Sequence, residues 1–70
     1  GPVSLRDRKK QKTWEAIATA TVELVVERGF DGVRVEDVCG RAEVGRSTFF
    51  RYFDSKEAAF VAGVHQGRLG

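Results

Sequence analysis

Proline is almost missing from this sequence. The single one is Pro2, so nothing after it forbids a helix on backbone grounds. Methionine is absent, and cysteine occurs once, at Cys39, so no internal disulfide can form. With His65 the lone histidine, no zinc-ligand cluster can be assembled, and the unpaired thiol suits a cytoplasmic protein. No apolar run approaches the roughly 20 residues of a membrane span, and no signal-peptide pattern opens the chain, so no membrane partner is expected. Length is scarce as well. Seventy residues make one domain at most, and such a domain buries only about 60% of the surface its unfolded chain exposes. Little room is left for a ligand pocket of roughly 300–1,000 Å³. No nucleophile–base pair, carboxylate dyad or phosphate-cradling glycine loop is visible. Catalysis, a cofactor and a metal site are therefore not expected.

What is present is charge, unevenly placed. Residues 1–12 carry five Lys/Arg against one acid, residues 13–43 three against seven, and residues 44–70 four against two. A basic arm and a basic second half flank an acidic middle, which suits one face for a polyanion and another for solvent. For the arm alone, plain solvation explains the charge equally well. Gly1-Pro2 reads as a remnant of tag removal. The organisation expected is an arm over 1–12, a helical domain over 13–66 and a tail over 67–70.

The pattern is helical throughout. Trp14, Ile17, Ala18, Thr21, Leu24 and Val25 recur at spacings of three and four, which predicts a helix from Thr13, as N-cap, to Arg28. An earlier start within Arg8–Lys12 is open if the arm is ordered. Gly29 is placed to end that helix, and a loop from Phe30 to Arg34 drops an aromatic into the core. A second helix is predicted over Val35–Ala42, with Val35, Val38, Cys39 and Ala42 facing inward and Glu36 and Asp37 at the positive end of its dipole. Cys39 reads as a small buried residue rather than a redox sensor. Glu43-Val44-Gly45 is a tight turn. A third helix follows over Arg46–Phe53, and Ser55 caps a fourth from Lys56 that frays near Gly67. The fold expected is all-α: a small bundle of three to four helices containing a homeodomain-like helix-turn-helix.

In that motif the second helix inserts its first residues into the DNA major groove. Here those residues are Arg46, Ser47 and Thr48, followed by Phe50, Arg51 and Tyr52. Arg46 and Lys56 each place a cation at a helix N-terminus, where the dipole disfavours it by up to about 1 kcal/mol. Guanine edges or phosphates would resolve both, and ordinary solvation is the alternative for each taken singly. Ser47 and Thr48 can cap the helix or donate to DNA, and the two roles are compatible. Phe49 and Phe53 are spaced four apart and read as core. Phe50 must then point elsewhere, toward thymine methyls and sugar edges or along the margin of the core. Tyr52 can donate its hydroxyl to phosphate, and Arg51 adds a cation to the same helix.

The run Glu43-Val44-Gly45-Arg46-Ser47-Thr48-Phe49-Phe50-Arg51-Tyr52-Phe53-Asp54-Ser55-Lys56-Glu57 resembles the signature of the tetracycline-repressor (TetR) family, roughly A-G-V-S-x-G-T-L-Y-x-H-F-x-S-K-E. Gly29-Phe30 followed by Val35-x-x-Val38 matches its upstream spacing, so the resemblance covers about residues 13–64. It implies that Arg46 and Ser47 read bases and that Thr48, Tyr52 and Lys56 grip phosphate. It implies further that Phe50 stands for a tyrosine contacting backbone and thymine methyls, and that Arg34 takes the place of a phosphate-touching Thr or Ser. The departures carry their own expectations. Glu43 in place of the turn glycine predicts strain there, and Gly45 in place of the capping serine removes a cap. Phe50 lacks a phenolic hydroxyl. Trp14, where arginine is common, reads as core. His65 reads as a surface residue or a contact to another domain.

The resemblance also implies a ligand-responsive transcriptional repressor that binds a palindromic operator in double-stranded DNA. Homodimerisation and a small-molecule effector would come through a C-terminal domain absent here, and the chain reads as an excised DNA-binding head. A helical protein-interaction module anchored on Phe50, Arg51 and Tyr52 is the alternative.

Overall fold

The computed structural model describes residues 5–69, with side chains placed over 10–66. Four helices follow in order: α1 (Leu5–Arg28), α2 (Val35–Ala42), α3 (Arg46–Tyr52) and α4 (Lys56–Leu69), with a 3-10 turn at Phe30–Gly32. No strand occurs among the described residues, so the all-α expectation holds.

The first helix departs from its expected start. It begins at Leu5, and Thr13 lies inside it rather than capping it. The apolar stripe ends at Trp14, but the stretch before it, Leu5 to Lys12, holds, Asp7 apart, only Arg, Lys, Gln and Leu, with no glycine or proline. Those are strong helix formers, so backbone preference continues the helix beyond the apolar stripe to Leu5. The basic arm is therefore continuous with α1 from Leu5 onward. At the other end of the chain, α4 continues through Gly67 to Leu69.

The core is built from all four helices. Ile17, Ala18, Ala20, Thr21 and Leu24 of α1 are buried with Val33, Val38, Cys39, Phe49, Phe53 and Ala59. Trp14 packs against this cluster with its ring 5.6 Å from that of Phe53, as a core residue should. Thr21 is the one buried polar side chain among the described residues, and its Oγ1 donates to the Ile17 carbonyl at 2.8 Å. That bond removes the cost of hiding the hydroxyl.

The long helices α1 and α4 make the most extensive contact, and Gly63 makes it possible. A Cβ there would overlap Val22 Cγ2 and lie 2.6 Å from the Ala18 carbonyl oxygen. The backbones meet where no side chain fits.

Among the described residues, Arg41 and Arg28 tie α1 to α2. Arg41 grips Glu27 with both guanidinium ends, at 2.6 and 2.9 Å, and approaches Glu23 at 3.7 Å. The hydrogen bond from Arg41 holds the Glu27 carboxyl below its usual range and raises the guanidinium in turn. Arg28 reaches Asp37 at 3.4 Å. Burial pushes the Cys39 thiol above its ordinary value, consistent with a packed, unreactive cysteine.

Candidate nucleic-acid interface

The turn between α2 and α3 is the three residues expected. Glu43 takes φ 59° and ψ 46°, the left-handed conformation that the family glycine would adopt without strain. The Val44 N–H returns to the Cys39 carbonyl at 3.0 Å, closing α2 in the Schellman manner, and Val44 packs against the core. Gly45 then serves as N-cap of α3 in an extended conformation, with no side chain to satisfy the first free N–H groups.

Alternation along α3 sorts its residues into two faces. Phe49 is fully buried and Phe53 nearly so, their rings 6.0 Å apart. Thr48 and Tyr52 are half-buried, with Tyr52 packed against the core. Arg46, Ser47, Phe50 and Arg51 stand exposed on the opposite side. Phe50 leaves 43% of its surface exposed while its inner edge meets the Phe49 ring at 5.1 Å, nearly perpendicular. The margin of the core therefore holds it, as one of the two readings expected, while its outer face stays in solvent.

The two cations at helix N-termini both have partners within the chain. Arg46 Nη1 lies 2.8 Å from Glu36 Oε1, and its guanidinium carbon sits 5.8 Å from the centre of the Phe50 ring. Lys56 Nζ donates to the carbonyls of Phe30 at 3.1 Å and Val33 at 2.8 Å, over the face of the Phe30 ring at 4.5 Å. Neither charge therefore needs DNA to be accommodated, contrary to what its place at a helix N-terminus suggested. Carbonyls and an aromatic face hold Lys56, which keeps its remaining N–H for any phosphate.

Arg34 is exposed and forms the N-cap of α2 in an extended conformation, beside the Val33 carbonyl that Lys56 holds. Its backbone N–H donates to Asp37 Oδ2 at 3.0 Å. Having no acceptor, the Arg34 side chain cannot return that bond and is left to reach outward. Ser55 caps α4 as expected, its Oγ accepting from the Ala58 N–H at 3.2 Å.

The eight candidate residues thus fall into two groups. Arg46, Ser47, Phe50 and Arg51 form the outer face of α3, with Thr48 and Tyr52 at its margins. Arg34 and Lys56 meet through Val33 at the junction of α2 and α4. Sequence reasoning missed Glu36, which it placed only as an acid in the first turn of α2. The available signal was its place in the first turn of one short helix, with Arg46 in the first turn of the next. His65 is exposed, and among the described residues no cluster of His, Cys, Asp and Glu is fit to hold a metal.

Comparison with known proteins bears on this arrangement. The profile of bacterial regulatory proteins, tetR family, matches residues 17–62, which run from the middle of α1 into α4. The chain belongs to the tetR family. It is similar to the HTH-type transcriptional regulator TcmR of Streptomyces glaucescens, with 39% identity over 64 residues, covering 91% of this chain and 28% of TcmR. It is similar also to the HTH-type transcriptional regulator RutR of Escherichia coli K12, with 33% identity over 61 residues, covering 87% of this chain and 29% of RutR. An uncharacterized HTH-type regulator of Lactococcus lactis is 36% identical over 54 residues, covering 77% of this chain and 28% of its own length. This tetR-family chain thus spans less than a third of the length of these relatives. No solved structure matches it. No helix among the described residues is long and apolar enough to cross a membrane.

Proposed function

We propose that this tetR-family unit binds double-stranded DNA, with the outer face of α3 entering the major groove. The observation that carries this reading is that face itself. Phe49 and Phe53 anchor the helix inward and leave Arg46, Ser47, Phe50 and Arg51 together in solvent. Arg46 has the fork geometry to bond guanine O6 and N7, and Phe50 offers an apolar surface to thymine methyls. Arg51, Thr48 and Tyr52 suit phosphate oxygens, and Arg34 and the free N–H of Lys56 suit a second stretch of backbone. No enzymatic role is proposed.

For a longer chain of the relatives' length, the proposal extends to a cytoplasmic, ligand-responsive repressor. Two such heads in a homodimer would bind a palindromic operator at half-sites about one helical turn, ~34–36 Å, apart. A small-molecule effector bound elsewhere in the chain would change that spacing.

Titration of this chain into labelled random duplex DNA at two salt concentrations tests the central claim. Affinity should fall steeply with salt, with chemical-shift changes at Arg34, Arg46–Tyr52 and Lys56. Arg46→Ala should cost about 1–3 kcal/mol on a preferred site and less on random DNA. Absence of binding at low salt sinks the reading and leaves the exposed aromatic of α3 as a protein contact.

A further inference from the structure

We propose that Glu36 is a positioning residue for base reading: its carboxylate holds the Arg46 guanidinium against Phe50, so that the free edge of the fork points to a guanine. The inference rests on the DNA-binding reading of α3 and adds a specificity determinant outside that helix.

Glu36 and Arg46 lie on opposite sides of the three-residue turn, each in the first turn of its helix. Glu36 Oε1 forms an ion pair with Arg46 Nη1 at 2.8 Å, and the guanidinium carbon lies 5.8 Å from the Phe50 ring centre. A guanidinium carries five N–H donors in a rigid plane. With Nη1 drawn to the Glu36 carboxylate and Phe50 nearby, rotation about the last side-chain bonds is narrowed. The donors left over include a parallel pair, the arrangement that guanine O6 and N7 accept. An unrestrained arginine would lose that freedom on binding, and a restrained one has already lost it.

Charge supports the same assignment. A carboxylate beside a surface that meets a polyanion repels every phosphate near it, whatever the sequence. Glu36 therefore lowers affinity for DNA in general while Arg46 gains direction. The dipole of α2 favours an acid in this turn as well, but Asp37 already occupies the same turn and its carboxylate takes the Arg34 N–H. The dipole requires no arginine partner; the positioning role does.

Two variants separate charge from reach. Glu36→Gln removes the charge, and Glu36→Asp keeps the charge but shortens the side chain. Each is compared with the parent chain on a duplex selected from a random library by this chain. The same duplex is also used with a G·C to A·T change at the position where Arg46→Ala loses discrimination. Glu36→Gln should bind random DNA more tightly while its discrimination at that base pair falls by about 2–5-fold, the range an exposed ion pair supports. Glu36→Asp should lose similar discrimination with random-DNA affinity unchanged. In an Arg46→Ala background neither variant should alter discrimination further. A parent-like ratio in both variants overturns the proposal and leaves Glu36 a solvated charge. A raised ratio means that Glu36 sequesters Arg46, and a loss that persists without Arg46 means that Glu36 reads a base itself; either overturns it. Relaxation of the Arg46 Nε–H signal in the free chain gives a readout that needs no DNA. Slow motion in the parent and fast motion in both variants supports the restraint even if the DNA reading fails. Equal motion in all three overturns it.

Discussion

The ammonium of Lys56 donates to the Val33 carbonyl at 2.8 Å, so the first residue of α4 fastens the strand of chain that enters α2. The same nitrogen takes the Phe30 carbonyl and lies over its ring, closing the loop after α1. Lys56→Met keeps the stem and removes the donors. It should lower stability by about 1–3 kcal/mol, because hydrogen bonds to a charged group are lost and carbonyls lose their partner. Urea unfolding reads this directly. An unchanged midpoint would mean that water replaces the ammonium without cost. If the third N–H also meets phosphate, the salt slope of DNA binding should fall by up to about one unit in the same variant.

Gly63 and Gly40 should respond in opposite directions to the same substitution. Gly40 lies inside α2, and a Cβ there would find nothing within 4 Å, so alanine should gain up to about 1 kcal/mol from helix preference. At Gly63 the new methyl would meet the Ala18 backbone and force α1 from α4. Gly63→Ala should lose about 1–3 kcal/mol despite the same helix preference. Thermal unfolding of the pair checks this, and equal shifts would refute the close crossing.

The turn before α3 should accept improvement at two positions. Glu43→Gly relieves the left-handed backbone of a side chain and should add about 1 kcal/mol, near 4–8 °C in Tm for a domain of this size. Gly45→Ser restores an N-cap at a position with open space and should add a few tenths of a kcal/mol or more. A loss at position 43 would show that the Glu43 side chain makes a contact worth more than the strain.

Burial raises the Cys39 thiol, so little thiolate is present at pH 8 and alkylation by iodoacetamide should be slow in the folded chain and fast in denaturant. The sign for stability follows: the folded protein holds the proton more tightly, so the contribution is complete below the unfolded thiol's pKa and is lost as pH rises through the folded value. Alkylation at the denatured rate would place Cys39 at the surface.

Glu27 shows the opposite sign. Its folded carboxyl is held low by the hydrogen bond from Arg41, so its contribution is present above the unfolded carboxylate range and is lost as pH falls through the folded value. In Arg41→Gln the Glu27 titration should move back up, followed by carbon NMR of the carboxyl. An unmoved titration would deny the bidentate contact.

The parts of this fold that depend on neighbours in sequence were legible, and those that depend on distant contacts were not. The span of α2, the turn, the caps at Ser55 and Gly45, and the burial of Phe49 and Phe53 follow from spacing and local chemistry. The start of α1 is not legible from the apolar stripe, because helix-forming residues continue the backbone beyond it. The phosphate reading of Lys56 rests on the motif and on its place at a helix N-terminus, because its carbonyl partners lie 23 and 26 residues away. Gly63 was passed over for the same reason, since it gains its meaning from α1, far away in sequence; Glu36 gains its partner from the next helix, across the turn.

α3 has seven residues, too few to hold a helix in water by itself, so its orientation is imposed through Phe49 and Phe53. What anchors the helix and what it shows to solvent are therefore written in different positions of one short segment. Substitutions at 46, 47 and 51 change what the outer face presents, and exposed positions of this kind usually alter stability by no more than about 0.5 kcal/mol, whereas Phe50 also packs on Phe49. The solvent-facing side can drift through many sequences while the scaffold beneath it stays the same, so its surface chemistry can change without a refolded protein.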